Sequence, residues 1–126
     1  MKRGFTMTEV LITVLIIAVL AAIAFPGFSK AQQKNDAGQT ITYLRAIRLA
    51  EKMYYAKNGT YLACADAAAI RSNLGTEITT EKYTFDVIVP TATTFTATAT
   101  RTSDAKTISL DQNGTWGGDS PYKPAV

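Results

Sequence analysis

Residues 4–28 read GFTMTEVLITVLIIAVLAAIAFPGF, in which one carboxylate, Glu9, precedes a long uncharged apolar run. From Val10 to Phe28 the only polar side chain is the hydroxyl of Thr13. An α-helix of this length covers about 28 Å, close to the ~30 Å hydrocarbon core of a bilayer. The stretch therefore predicts a helix that is long and apolar enough to span a membrane.

The flanking residues leave three interpretations of this run open. Lys2 and Arg3 precede it, so the positive-inside rule predicts a cytoplasmic start and places the bulk of the chain outside. The run could be a secretory signal peptide cut after Ala22-Ile23-Ala24, which would leave Phe25 as the first residue. It could be an ordinary membrane anchor, or a segment that is retained after cleavage in front of it.

Glu9 discriminates among these interpretations. A carboxylate at the centre of a membrane helix costs roughly 2.5–3.5 kcal/mol, and less near an end, so such residues usually have a partner and a function. Neither a signal peptide nor a plain anchor needs this carboxylate. The sequence Gly4-Phe5-Thr6-Met7-Thr8-Glu9 resembles the class III prepilin signature of type IV pilins, pseudopilins and competence pilins.

The resemblance implies a role for each of three residues. A membrane peptidase would cut after Gly4, and the same enzyme would N-methylate Phe5, the new first residue. Glu9 would pair with the N-terminal amine of a neighbouring subunit during assembly. This role is physically consistent, because a buried ammonium needs an opposite charge and a helix N-terminus favours a negative one.

Pro26 and Gly27 interrupt the apolar run near its end. Proline lacks an amide donor and its ring crowds the preceding turn, so a kink or local melting is expected around residues 18–27. The alternative is that Pro26 ends the membrane helix. Beyond it, an amphipathic pattern argues for continuation to about Lys57, with Asn58-Gly59 as the stop. The predicted apolar stripe comprises Ala37, Ile41, Leu44, Ile47, Ala50 and Tyr54.

The remaining residues predict a small head. Asp66 is a suitable N-cap for a short helix ending near Asn73 or Gly75. Three alternating strands follow, over Tyr83–Val89, 94–100 and 107–111, with Pro90 ending the first. The predicted fold is α+β: a long N-terminal helix packed on a small antiparallel sheet, as in the pilin fold.

The chain is predicted to have five segments. The resemblance implies that residues 1–4 are a leader removed by the peptidase and that residues 5–28 are the transmembrane and polymerisation helix. Residues 29–57 are its amphipathic second half, residues 58–80 connect helix to sheet, and residues 81–126 form the sheet and C-terminal tail.

Composition argues against an enzyme or a metal protein. The chain has no histidine, which removes the commonest general base and metal ligand, and its one cysteine, Cys64, excludes an internal disulfide. Lys2 and Arg3 supply two of the three net positive charges, and elsewhere basic and acidic residues are interspersed, so no specific nucleic-acid partner is predicted. No cofactor is expected. Asp111, Asn113 and Asp119 are weak calcium candidates, because they lie in a glycine-rich tail and carry oxygen ligands. The simpler interpretation of that tail is a turn at Asn113-Gly114 followed by a surface segment.

The resemblance predicts a structural subunit of a type IV pilus-like filament. Its partners would be other copies of itself, minor pilins, a prepilin peptidase and methyltransferase, and an inner-membrane assembly platform. It would lie in the cytoplasmic membrane, with its N-terminus in the cytoplasm, before joining an extracellular or periplasmic filament. A pseudopilin or competence pilin, a monomeric membrane-tethered envelope domain and a secreted protein stay open as alternatives.

Overall fold

The computed structural model describes residues 4–125 of the chain. Lys2 and Arg3, on which the predicted orientation rests, lie outside the described residues. The chain divides into two compact units, with the boundary between Asn35 and Asp36. Helix α1, Met7–Asn58, contributes to both units, whereas all other elements belong to the second.

The first unit is the apolar half of α1. It contains a stretch of mean hydropathy 2.7, long and apolar enough to cross a membrane, and none of that stretch is buried within the chain. The backbone is helical on both sides of Pro26 and Gly27. The local melting expected around residues 18–27 therefore does not occur in the single chain, and the kink stays a prediction.

The second unit is a four-stranded antiparallel meander with one helical face in its core. After α1 come helix α2, Ala67–Leu74, and strands β1, Tyr83–Thr91, β2, Thr94–Arg101, β3, Thr107–Asp111, and β4, Trp116–Gly117. The strands lie in the order β1-β2-β3-β4. This arrangement confirms the predicted α+β pilin fold.

The alternation of the strands decides which face is buried. Tyr83, Phe85 and Val87 of β1 point into the core, as do Phe95 and two alanines of β2 and the apolar residues of β3. Leu44 and Ile47 of α1 belong to the same hydrophobic cluster. The side chains of Ala97 and Ala99 are fully buried, because small residues in the central strand let bulkier neighbours pack closely.

The stripe on α1 differs from the prediction at several positions. Ala37, Leu44 and Ile47 are buried as expected, whereas Ile41, Ala50 and Tyr54 are only partly covered. The polar residues Thr40 and Glu51 are instead fully buried. Thr40 satisfies its hydroxyl within the helix by donating to the carbonyl of Asp36 at 2.9 Å.

Two features at the ends of the sheet correct the sequence prediction. Strand β1 continues through Pro90 to Thr91, because β1 is an edge strand and its proline needs no partner for a missing N–H. Downstream, the turn at Asn113-Gly114 does not lead to a surface tail. The chain returns to pair Trp116 with Leu110, forming β4.

The connection between α1 and β1 is anchored as well. Asp66 caps α2 by accepting from the amide of Ala69 at 2.8 Å, and Gly75 ends the helix in the left-handed conformation. Both roles were predicted. Just before α2, Cys64 exchanges two backbone hydrogen bonds with Val87 of β1, so the connecting segment covers part of that edge.

Candidate assembly site

The N-terminus of α1 is closed by a reciprocal pair of hydrogen bonds. The amide of Thr6 donates to Oε2 of Glu9 at 2.9 Å, and the amide of Glu9 donates to the hydroxyl of Thr6 at 3.2 Å. This is a capping box, in which an N-cap threonine and a glutamate three residues later satisfy each other's free amides. The capping box was not predicted above, although Thr-x-x-Glu ahead of an apolar run is its recognised sequence pattern.

Phe5 extends this cap. It occupies the position before the N-cap and lines a shallow hollow of about 150 Å³ together with Val10, Thr13 and Val14. The positions of Phe5 and Val10 are those of a hydrophobic staple, which fixes the angle at which a chain enters a helix. Most of the Phe5 side chain is still exposed. The predicted cleavage point, Gly4-Phe5, therefore lies immediately before an ordered first turn.

The Glu9 carboxylate keeps one oxygen available. Its Oε2 atom is taken by Thr6, whereas Oε1 accepts no hydrogen bond from the described residues. Among those residues, no basic group forms an ion pair with Glu9. The helix N-terminus supplies a favourable dipole but no full positive charge. A positive group from outside can therefore approach Glu9 without displacing the cap.

The surface that follows Glu9 has no cover in the single chain. Every residue from Val10 to Phe28 is exposed, with Ile23 at 73% and Phe25 at 76%. Thr13 hides its polarity by donating its hydroxyl to the carbonyl of Glu9 at 2.8 Å. A contiguous apolar surface of this size is unfavourable in water, so it must be covered by lipid or by another protein surface.

A second carboxylate, Glu51, contributes to the packing of the head and is not part of the assembly surface. It is fully buried, and its Oε2 accepts from the amide of Leu62 at 2.8 Å while Oε1 has no partner. Burial raises the pKa of Glu51, and the Leu62 hydrogen bond partly opposes that rise. The signal for its burial in the sequence is its position four residues after Ile47, on the same face of the helix. Neighbouring Cys64 is a buried free thiol.

Of the three calcium candidates, Asp119 lies apart from Asp111 and Asn113. Asp111 accepts from the amides of Asn113 and Thr115, each at 2.9 Å, so its carboxylate stabilises the β3–β4 turn. Asp119 accepts from the amide of Thr107 at the opposite end of β3, about 13 Å away at ~3.3 Å per residue. No group of three acidic, histidine or cysteine side chains suited to a metal ion occurs within residues 4–125.

Comparison with known proteins identifies the family. A model of the prokaryotic N-terminal methylation motif matches residues 1–25. A second family model, described as type IV minor pilin ComP, DNA uptake sequence receptor, matches residues 26–110. The chain belongs to the type IV pilin family.

Individual relatives of this pilin agree. It is 31% identical over 93 residues to the type IV wide pilus major component PilA4 of Thermus thermophilus, covering 74% of this chain and 69% of that protein. It is 31% identical over 108 residues to fimbrial protein EcpC of Eikenella corrodens, covering 83% and 67%. Over 60 residues it is 41% identical to the major pilin PilA of Myxococcus xanthus, a match that spans 48% of this chain but only 27% of that protein.

The chain is also similar, over a shorter stretch, to a protein of the type II secretion system. The type II secretion system core protein G of Klebsiella pneumoniae is 32% identical to this pilin over 60 residues, or 48% of this chain and 43% of that protein. The pilin is thus a structural subunit of a pilus-like filament and not an enzyme. Its N-terminal helix anchors it in a membrane before it joins a filament outside that membrane.

Proposed function

We propose that this pilin polymerises by pairing the free oxygen of Glu9 with the N-terminal amine of Phe5 in a neighbouring copy. The carrying observation is the capped but unpaired carboxylate beside a wholly exposed apolar surface. Transfer of that surface from lipid to a bundle of identical helices keeps it out of water at both stages. The Glu9–amine pair fixes which copy is accepted and in what register.

The proposal includes the processing that creates the amine. A prepilin peptidase cuts after Gly4 and methylates Phe5, and an inner-membrane platform then adds the subunit to the polymer, with minor pilins as further partners. Before assembly the N-terminus faces the cytoplasm, as the charges of Lys2 and Arg3 predict. Support comes from the match to the methylation motif over residues 1–25.

Substitution of Glu9 tests the pairing. Glu9→Ala removes both the cap and the charge, whereas Glu9→Gln keeps a cap acceptor and removes only the charge. We expect both variants to reach the membrane in normal amounts and to yield few or no filaments by shearing and electron microscopy. Normal filaments from Glu9→Gln would remove the charge-pairing role.

Mass analysis of the purified N-terminus tests processing separately. N-methylated Phe5 is the expected first residue. Retention of Met1 would indicate a tethered envelope domain, and a start at Phe25 would indicate a secreted protein; either result contradicts the proposal.

A role in DNA uptake is a second candidate, because the matching family model is described as a DNA uptake sequence receptor. Its test is the retention of a labelled short DNA duplex by purified filaments at several salt concentrations. The competitors are an unlabelled duplex of the same sequence and an unlabelled duplex of unrelated sequence. Equal competition by both duplexes, or complete loss of retention at moderate salt, would contradict a receptor role.

A further inference from the structure

One edge of the head carries a groove with positive charge and apolar walls. This basic groove, about 340 Å³, lies where α1 meets the β4 end of the sheet. The guanidinium of Arg45 lies 5.7 Å from the ring centroid of Trp116, within cation–π range. Leu49 is 65% exposed beside it. The groove is lined by Arg45, Arg48, Leu49, Leu110, Gly114 and Trp116.

The charges of the basic groove have no counter-charge of their own. Within residues 4–125, neither Arg45 nor Arg48 forms an ion pair, whereas Arg71 and Arg101 pair with Glu77 and Asp104. Arg48 donates to the carbonyl of Gln112 at 3.2 Å, and its Nε is buried without a partner. Trp116 is half-buried and Leu49 is exposed. Uncompensated guanidinium groups beside such apolar surface are typical of a protein contact.

The opposite edge carries a groove of complementary character. This acidic groove, about 620 Å³, lies between the start of α2 and strand β1. Its walls combine small apolar residues with two carboxylates: Ala65, Asp66, Ala67, Ala68, Tyr83, Thr84, Phe85 and Asp86. The alanines leave room for a bulky side chain from outside.

Asp86 is the unsatisfied group of the acidic groove. Its side chain is half-buried, and it makes no hydrogen bond or ion pair with the described residues. Burial raises the pKa of Asp86, with no compensating interaction. Asp66, by contrast, is already committed to capping α2. A carboxylate that is partly desolvated and unpaired favours the approach of a cation.

The two grooves cannot meet within one molecule. Strands β1 and β4 are the two edges of a four-stranded sheet, so about 14 Å of sheet separates them at ~4.8 Å per strand. A contact between different surfaces of identical copies is heterologous, and repeating it without closure produces a helical filament. Complementary grooves on opposite edges of one unit meet that requirement.

We propose that the basic groove of one copy docks onto the acidic groove of the next copy in the filament, with Arg45 facing Asp86. The proposal rests on the filament role and adds a specific contact between heads. Trp116 and Leu49 would lie against the alanine-rich wall, and the ion pair would set the register. Desolvated like charges in such a contact are strongly unfavourable, which makes charge reversal a sensitive probe.

The first experiment is a charge swap in the full-length protein. Arg45→Glu and Asp86→Lys should each lower sheared filament yield at least on the order of tenfold, because each places like charges opposite one another in every contact. The double variant restores opposite charges and should return the yield to within about twofold of the wild type. Lys57→Glu, an exposed reversal on the same helix outside both grooves, is the matched control.

The second experiment reports the contact without altering either charge. Leu49→Cys and Thr84→Cys each place a thiol in one groove, and the native Cys64 is buried. In filaments treated with a short bis-maleimide, the double variant should give a ladder of covalent oligomers, whereas each single variant should not. This measurement decides the question if a charge variant folds poorly and is lost from the membrane.

The outcomes separate the proposal from its alternatives. Filaments that form but give no ladder overturn the head contact and leave the pairing of Glu9 untouched. Single charge reversals that assemble like the wild type also overturn the head contact. Normal filaments from Glu9→Gln overturn only the pairing of Glu9. If Arg45→Glu leaves filaments and ladders intact but abolishes retention of duplex DNA, the basic groove serves nucleic acid instead.

Discussion

Replacing Glu51 by alanine removes a fully buried carboxylate that accepts a hydrogen bond from the amide of Leu62 at 2.8 Å. Below pH 4.5, where the buried carboxyl is protonated, this hydrogen bond is worth about 0.5–1.5 kcal/mol, and the vacated space adds a packing loss. Removing the unpaired Oε1 atom from the interior offsets part of both. We expect Glu51→Ala to lower the free energy of unfolding by about 2 kcal/mol below pH 4.5, and by less at higher pH.

Glu51→Gln is the matched variant, because it keeps an acceptor for Leu62 but cannot ionise. Burial raises the pKa of Glu51 above its ordinary value of 4.5, so the folded state holds this proton more tightly than the unfolded chain. The contribution of Glu51 to stability is therefore fully present below pH 4.5 and is lost as pH rises through the folded-state pKa. Relative to Glu51→Gln, the wild type should lose stability over that interval.

The assay is thermal unfolding of the detergent-solubilised full chain, followed by near-ultraviolet circular dichroism. Tyr61 reports on the segment after α1, since its ring contacts Tyr55 and Phe95 with centroids 4.7 Å away in each case. Hydrogen exchange at the Leu62 amide gives a local readout. The reasoning would be refuted if Glu51→Ala left that exchange unchanged, or if Glu51→Gln kept the pH dependence of the wild type.

Two further substitutions test the cap and a close backbone approach. Thr6→Ala should destabilise the first turn of α1 by about 1 kcal/mol and speed hydrogen exchange of its amides roughly fivefold. Thr8→Ala is the control, because Thr8 takes no part in the cap. Equal exchange in the two variants would contradict the capping box. Gly118 has φ +97°, and an added Cβ would lie 2.3 Å from the carbonyl oxygen of Thr107 in β3. Gly118→Ala should therefore lower the free energy of unfolding by about 2–4 kcal/mol, as measured by thermal unfolding. Gly59→Ala, at φ +72° with open space around it, should cost only about 1 kcal/mol, and equal losses at both glycines would rule out the clash.

The sequence predicted the parts of the fold that depend on local pattern. The stop at Asn58-Gly59, the cap at Asp66 and the alternation of the three longer strands all follow from neighbouring residues, and the structure confirms them. Strand β4 was missed because two residues carry no periodicity. The continuation of β1 through Pro90 depends on its edge position, which only the tertiary arrangement decides.

The functional residues divide in the same way. Glu9 was found because a carboxylate beside a membrane span is unfavourable without a purpose. The cap between Thr6 and Glu9 also depends only on neighbouring residues, so it could have been predicted. The burial of Glu51 could not, because its partner Leu62 is reached only through the path of the chain after α1. The opposing grooves likewise depend on strand order, which brings Asp86 and Trp116 to opposite edges.

The way in which both sheet edges end has a consequence for a polymer that crowds its heads together. Unpaired strand edges at high local concentration are templates for cross-β aggregation. In this pilin, hydrogen bonds between Cys64 and Val87 occupy part of the β1 edge, and Pro90 removes a donor further along it. Among residues 4–125, the strand at the other edge is β4, which has just two residues. Few unpaired strand groups are therefore left through which closely stacked heads can pair, and this arrangement favours growth of the filament over growth of amyloid.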